Sequence, residues 1–278
     1  MEALPGPASL GDTAGWEALK ERIIELTGWD LHLFKENYLK RRVTARLRAL
    51  GLESWGAYAQ RLADPLELER LRDRLTVNVT EFFRDADVWE ELEQGILPGL
   101  AREAAARPVP ELRIWSAGCS SGEEPYSLAM LALEAAALVR PKPVVRVMAS
   151  DLDELILAKA VAGRYPEASL ASVSPARRSA YFQADGAQWA VGQRLRDAIV
   201  FRRHNLFDDP PPPDLDLILC RNVMIYFSRD LQQKLLRGFH AALRPGGYFV
   251  TGKTETVLGP VRSLWKPVSA RARAFQKA

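Results

Sequence analysis

Between residues 14 and 75 apolar side chains recur three or four positions apart, as in Ile23, Leu26, Leu39, Val43, Leu47 and Leu50, with almost no β-branched runs. That period is the spacing of one helix face, so residues 1–75 are expected to form a small all-helical domain. From about residue 112 the period changes. The short apolar runs "LRIWSA", "VVRVMAS", "DLDLILC" and "YFVTGK" alternate with helical segments starting at Glu124, Asp153 and Arg229. Such alternation predicts a parallel sheet covered by helices, and 85–107 reads as a helix leading into it. Between about 167 and 204 the alternation stops. That stretch holds one short helix, "SPARRSAYF", and two strand-like runs around "DGAQWAVG", the pattern of a small antiparallel β insertion. The four prolines of "DDPPPPD" (208–214) predict a stiff, extended connection. The expected organisation is therefore a helical domain over 1–75 and an α/β domain over 76–278 that carries the insertion.

Composition narrows the function classes. The chain has 278 residues, 47% of them apolar and 26% charged, which is globular material sufficient for one large or two smaller domains. A net charge of +3 gives no argument for nucleic acid, so any basic partner surface must be local. Cys119 and Cys220 fall at strand ends without metal-ligand spacing and read as buried thiols. The N-terminal "MEALPGPASLGD" lacks the features of a secretory signal, and no apolar stretch approaches the roughly 18 residues of a membrane span. A cytoplasmic location is expected.

The chemistry should lie where parallel strands end, because open α/β sheets hold ligands there. The first strand runs through Gly118 and Gly122 into a helix, "RIWSAGCSSGEEPYSLAM". Glycines let a ligand approach the backbone, and the helix offers unpaired N–H groups. The turn is neither G-x-G-x-x-G nor a Walker loop, and Glu123 and Glu124 oppose a phosphate ligand. Those acids equally suit the helix dipole. Asp151 ends the second strand, where a carboxylate can accept from ribose hydroxyls; it can also serve as a helix N-cap. The third strand delivers "CRNVMIYF", with Arg221, Asn222 and Tyr226. Together these features suit a nucleoside that carries positive charge rather than phosphate, a description S-adenosylmethionine fits.

Six blocks, "LTVNVTEFFRD", "WSAGCSSGEEPYSLAM", "ASDLDELILAKAVAGRY", "HNLF", "DLILCRNVMIYFSRDLQQKLL" and "LRPGGYFVTGKTE", resemble the chemotaxis-receptor glutamate methyltransferases, the CheR family, in order and approximate spacing. The resemblance runs from about 17 to about 276. It implies a class I, Rossmann-like S-adenosylmethionine-dependent methyltransferase domain behind an all-helical domain. It also implies a cofactor pocket of Asn78, Thr80, Arg84, Glu124, Asp151, Asn205, Leu206, Arg221 and Asn222, with Arg84 and Tyr226 facing the transferred methyl. The local alternative for "NVTEFFR" is a helix cap with Phe82 and Phe83 in the core. The implied activity is protein-glutamate O-methylation of chemoreceptor cytoplasmic helices, a step in sensory adaptation and signal transduction.

A substrate glutamate with a pKa near ~4.3 is already ionised at neutral pH, so no general base is expected. His32, His204 and His240 form no constellation, and no metal is expected. On a helical wheel Leu39, Val43, Leu47 and Leu50 form an apolar stripe, with Lys40, Arg41 and Arg48 on one flank and Lys35, Arg42 and Arg46 on the other. A docking surface of Lys40, Arg41, Arg42, Arg46 and Arg48 would suit an acidic receptor helix; the plain alternative is a solvated face. Nucleic acid is disfavoured, since no aromatics interleave the patch. Two departures from the family stand out. The turn "QADGAQWAVG" is short, which predicts no dependence on a receptor C-terminal tethering peptide, and Lys253 of "GKTE" replaces a common histidine. Competing readings are a methyltransferase of this fold with another protein or small-molecule substrate, and a non-catalytic S-adenosylmethionine sensor.

Overall fold

The computed structural model describes residues 12–76 and 80–278, and of Thr76 only the backbone. The chain divides into two compact units, Met1–Asn78 with Tyr226–Leu231, and Val79–Ile225 with Gln232–Ala278.

Among the described residues, the first 78 positions of the first unit hold four α-helices, α1 (Thr13–Thr27), α2 (Glu36–Ala49), α3 (Trp55–Arg61) and α4 (Pro65–Thr76). Their ends follow local chemistry. Asp12 caps α1 by accepting from the Ala14 and Gly15 amides, Gly28 closes it at φ 70°, and Ser54 caps α3 through the Ala57 amide. The apolar stripe of α2 is buried at Leu39, Val43 and Leu47, and the Trp16 and Trp55 rings meet at 5.0 Å in the same core. Each such side chain contributes roughly 1.5–3 kcal/mol by burial. The returning segment 226–231 packs here through Phe227, whose ring lies 5.5 Å from Phe34, while the Lys35 amide donates to the Tyr226 carbonyl at 2.8 Å.

Arg46 does not belong to a docking face. Its Nε donates to Glu67 Oε1 at 2.8 Å, a second bond joins Nη2 to Oε2, and Tyr58 adds its hydroxyl to Oε1 at 2.9 Å. Glu67 is fully buried, so its charge needs this partner. The expectation for Arg46 is corrected accordingly. Lys40 pairs with Glu36 at 2.5 Å and Arg42 lies over the Tyr38 ring, leaving Arg41 and Arg48 as the exposed members of the set.

The second unit begins with α5 (Ala86–Glu91), a π-helical turn (Leu92–Ile96) and α6 (Leu97–Ala105). Then follow β1 (Glu111–Ala117), α7 (Glu123–Ala137), β2 (Val144–Asp151), α8 (Glu154–Ala162), β3 (Arg164–Pro166), α9 (Pro175–Tyr181), β4 (Phe182–Asp185), β5 (Gln188–Val191), α10 (Gln193–Arg196) and β6 (Ile199–Arg203). The last elements are β7 (Leu215–Cys220), α11 (Arg229–Ala242, its first three residues belonging to the first unit), β8 (Leu243–Thr251), β9 (Trp265–Ser269) and β10 (Ala274–Lys277). A seven-stranded sheet runs β6-β2-β1-β7-β8-β10-β9, parallel from β6 to β8 and antiparallel beyond. All six residues of β7 are buried, as befits a parallel strand covered on both faces.

The α/β class with an antiparallel insertion is as expected. The insertion's three strands, in the order β3-β5-β4, span 164–191. Residues 199–203, placed by the sequence inside the insertion, instead pair with β2 as an edge of the large sheet. Among the described residues no helix is long and apolar enough to cross a membrane.

Candidate active site

Five parallel strands end on the same side of the sheet, and the segments leaving them carry most of the expected site residues. Asn205 and Leu206 follow β6, Asp151 ends β2, Gly118 follows β1, Arg221 and Asn222 follow β7, and Gly252 follows β8. The direction in which strands are added reverses between β1 and β7, the switch point at whose carboxyl ends open α/β sheets hold ligands.

The turn after β1 needs its glycine. Gly118 sits at φ 83°, and a Cβ there would come within 2.5 Å of Val223 Cγ2, so the loop after β7 lies directly on the turn. Asp151 is not the N-cap of α8. Asp153 fills that role by accepting from Leu155 and Ile156, while Asp151 Oδ2 accepts from the Ser120 amide at 2.9 Å and Oδ1 from the Asp153 amide at 3.1 Å. Burial raises the Asp151 pKa, and these amides act against the rise. A carboxylate has about four acceptor positions, so roughly two remain. Ser120 Oγ beside it is buried with no partner.

Arg221 is an internal strut. Its side chain is 2% exposed and donates to Asp85 Oδ2 at 2.7 Å, to the Arg84 carbonyl at 2.8 Å and to Glu124 Oε2 at 3.4 Å. Glu124 also accepts from Ser116 Oγ at 2.8 Å; burial raises its pKa, and Arg221 and Ser116 oppose that. Glu124 therefore does more than complement the helix dipole. The backbone clamped by Arg221 is strained, because Phe83 and Asp85 on either side of Arg84 have φ of 52° and 62°. Left-handed residues of this kind cost on the order of 1–2 kcal/mol each, so surrounding bonds must hold them. The Phe83 amide is fixed by Ser127 Oγ at 3.1 Å, and the Trp89 indole donates to the Arg84 carbonyl at 2.8 Å. Phe82 is buried in the core, its ring 4.9 Å from that of Tyr165.

Asn205 closes its own turn. It accepts from the Phe207 amide, and its Nδ2 donates to Asp208 at 2.5 Å, so its side chain shapes the loop that presents half-buried Leu206. The His204 amide donates to the Asp151 carbonyl at 3.0 Å, tying that loop to β2. Thr80 and Arg84 are half-buried, and Asn78 lies outside the described residues. Tyr226 belongs to the helical unit, where its ring stands 4.7 Å from that of Tyr38. Burial, with Tyr226 adding to it, pushes Tyr38 up to about 12, and its hydroxyl donates to the Leu75 carbonyl at 2.6 Å.

Sequence reasoning missed Asp85 and Glu255. Each closes one of the resembling blocks, Asp85 that of "LTVNVTEFFRD" and Glu255 that of "GKTE", and the second block bears on Lys253 as well. That lysine pairs with Asp87 at 2.7 Å and lies 3.8 Å from Asp85.

The donor set suits S-adenosylmethionine. Unused acceptor positions on Asp151 and the unpartnered Ser120 hydroxyl match ribose hydroxyls, the glycine turn admits close approach, and the acids of α7 favour a cationic group over phosphate.

Comparison with known proteins agrees. Residues 14–76 match the family described as CheR methyltransferase, all-alpha domain, and residues 78–272 match CheR methyltransferase, SAM binding domain. A chemotaxis protein methyltransferase of Listeria monocytogenes is 36% identical over 234 residues, covering 84% of this chain and 86% of that one. Chemotaxis protein methyltransferase 2 of Pseudomonas aeruginosa is 37% identical over 267 residues, covering 92% of each. An uncharacterized 104.1 kDa protein of Rhodobacter capsulatus is 35% identical over 244 residues, and the chain spans only 25% of its length. Both family domains being matched across nearly the whole sequence, this chain belongs to the CheR methyltransferases, enzymes that use S-adenosylmethionine.

Proposed function

We propose that the protein methylates glutamate side chains on the cytoplasmic helices of chemoreceptors, forming methyl esters in the course of sensory adaptation, and that it works in the cytoplasm. The observation that carries this reading is the match to both family domains, shared with relatives named as chemotaxis protein methyltransferases. The residues proposed to hold the cofactor are Asn78, Thr80, Arg84, Glu124, Asp151, Asn205, Leu206, Arg221 and Asn222. Arg221 acts mainly by fixing the Arg84–Asp85 backbone, given its protein partners.

When bound, S-adenosylmethionine supplies a methyl group on a positively charged sulfur. The chain then has little acid–base work to do, because a glutamate with a pKa near ~4.3 arrives ionised. Arg84 holds the incoming carboxylate and Tyr226 orients it. Positioning and exclusion of water carry most of the acceleration. Arg41 and Arg48, the exposed pair on α2, steer an acidic receptor helix. The small insertion sheet, with a two-residue turn between β4 and β5, supports independence from a tethering peptide.

The test is incubation with methyl-labelled S-adenosylmethionine and receptor-rich membranes, followed by mild base. Protein-bound label released as methanol is the expected result. No transfer to receptor, with cofactor binding intact, would sink the receptor assignment.

A further inference from the structure

Glu255 lies four residues beyond β8 and is 4% exposed. Its carboxylate gathers four donors from two segments. Oε2 accepts from the Asn222 amide at 2.9 Å, the Gly252 amide at 2.7 Å and Thr251 Oγ1 at 2.9 Å, while Oε1 accepts from the Ile225 amide at 3.1 Å. Two of these donors belong to the loop after β7, on either side of Val223 and Met224. That loop begins in a conformation few residues adopt, since Asn222 has φ 61°. Asparagine tolerates this region better than most residues, and an external anchor keeps it there.

Gly252 bears on the same atoms. A Cβ at that position would lie 2.8 Å from Asn222 N, 2.9 Å from Asn222 Nδ2 and 2.8 Å from Glu255 Oε2. The backbone after β8 thus approaches Asn222 as closely as a hydrogen atom in place of a side chain allows. On the other side Val223 rests against Gly118. The loop is held between two glycine turns, and Glu255 supplies a carboxylate to that clamp.

We propose that Glu255 is a positioning residue for the cofactor, setting the backbone of Asn222–Ile225 so that Asn222 meets S-adenosylmethionine in a fixed orientation. This rests on the reading above that Asn222 contacts the cofactor. A carboxylate suits the task because it only accepts, and all four neighbours donate. A glutamine would turn an NH2 group toward at least one of those N–H donors. An alanine would leave the Asn222 and Gly252 amides without their acceptor.

The experiment uses the full chain and S-adenosylhomocysteine as probe, with affinity measured by titration calorimetry and stability by thermal unfolding without ligand. The variants are E255Q, E255A, N222A and, as a stability control, D216N. Asp216 is fully buried near the amino end of β7, where it holds Arg107 at 2.6 Å and Arg244 at 3.0 Å, so its loss destabilises the fold away from the loop. Expected are a Kd raised at least about tenfold in E255A, roughly 1.4 kcal/mol, and an intermediate rise in E255Q. D216N should lower the melting temperature and leave Kd near wild type. Folded E255Q and E255A with wild-type Kd, while N222A binds weakly, would overturn the positioning role and leave Asn222 as a contact. If N222A itself binds normally, the cofactor reading of Asn222 falls and the inference falls with it. If neither Glu255 variant folds, Glu255 is a determinant of the fold, and the positioning role is refuted.

Discussion

Replacing Arg221 by alanine removes the strut between α7, the Arg84–Asp85 backbone and the end of β7. Breaking a buried pair by deleting one partner costs about 3–5 kcal/mol. Two features favour the lower end: Asp85 keeps Lys253 at 3.8 Å and is 24% exposed, and Glu124 can escape by taking a proton. At about 3 kcal/mol, and roughly 2–4 °C per kcal/mol for a unit of this size, the melting temperature should fall by about 6–12 °C at neutral pH. The pH dependence gives a sharper test. Burial raises the folded-state pKa of Glu124 above its unfolded value, against the pull of Arg221. A carboxyl shifted in that direction contributes stability at low pH and loses it as pH rises through the folded value. Without Arg221 the shift grows, so the deficit relative to wild type should be larger at pH 8 than at pH 5. Thermal unfolding followed by circular dichroism, without cofactor and at constant ionic strength, reads both quantities. A deficit under about 2 °C at neutral pH, or one that does not change with pH, would refute the strut. R221K should recover only part of the loss, since lysine cannot span three acceptors with a planar fork.

Glu67 should make the helical unit acid-sensitive. Burial works to raise its pKa, but hydrogen bonds from Arg46 and Tyr58 outweigh this and leave it below 4.5, so its stabilisation is present above that value and lost as pH falls through the folded one. An acid titration of helical signal should show less loss in E67Q, and equal loss would exclude Glu67 as the cause. R41E combined with R48E should slow receptor methylation at least about fivefold, most at low salt, with unchanged cofactor affinity; wild-type rates would remove α2 from docking. Y226F should lower turnover by roughly tenfold at saturating cofactor, the worth of one orienting hydrogen bond. Full turnover would end the role of the hydroxyl.

What the sequence made legible was what burial and backbone geometry write into it locally. The runs ending at Ala117, Asp151 and Cys220 are predominantly apolar and rich in Val, Ile and Leu, and each proved an interior strand of the large sheet. Residues 199–203 were misplaced because this edge strand is short, its apolar run of Ile199, Val200 and Phe201 giving way at once to exposed Arg202 and Arg203. The hairpin of β9 and β10 escaped notice for a related reason, since Pro267 and exposed Lys266 mask β9, which pairs only at the edge. The places of Gly118 and Asp151 at the strand ends were readable from the sequence alone. The partners of Arg46 and Arg221 were not, because an arginine does not announce whether it faces an acid or solvent. The acids that decide it stand 21 and 136 residues away. Glu255 was hidden more completely, as three of its four donors are backbone amides that leave no mark in a side-chain pattern.

The passage of Tyr226–Leu231 into the helical unit has a consequence for anyone building chimaeras within this family. The polypeptide moves from one unit to the other three times, near residues 78, 225 and 231. A cut after residue 78 therefore does not excise a self-sufficient module. The helical fragment would lose Phe227 from beside Phe34 and Tyr226 from beside Tyr38. Exchanging the helical unit between relatives therefore requires transplanting the hexapeptide together with the first 78 residues.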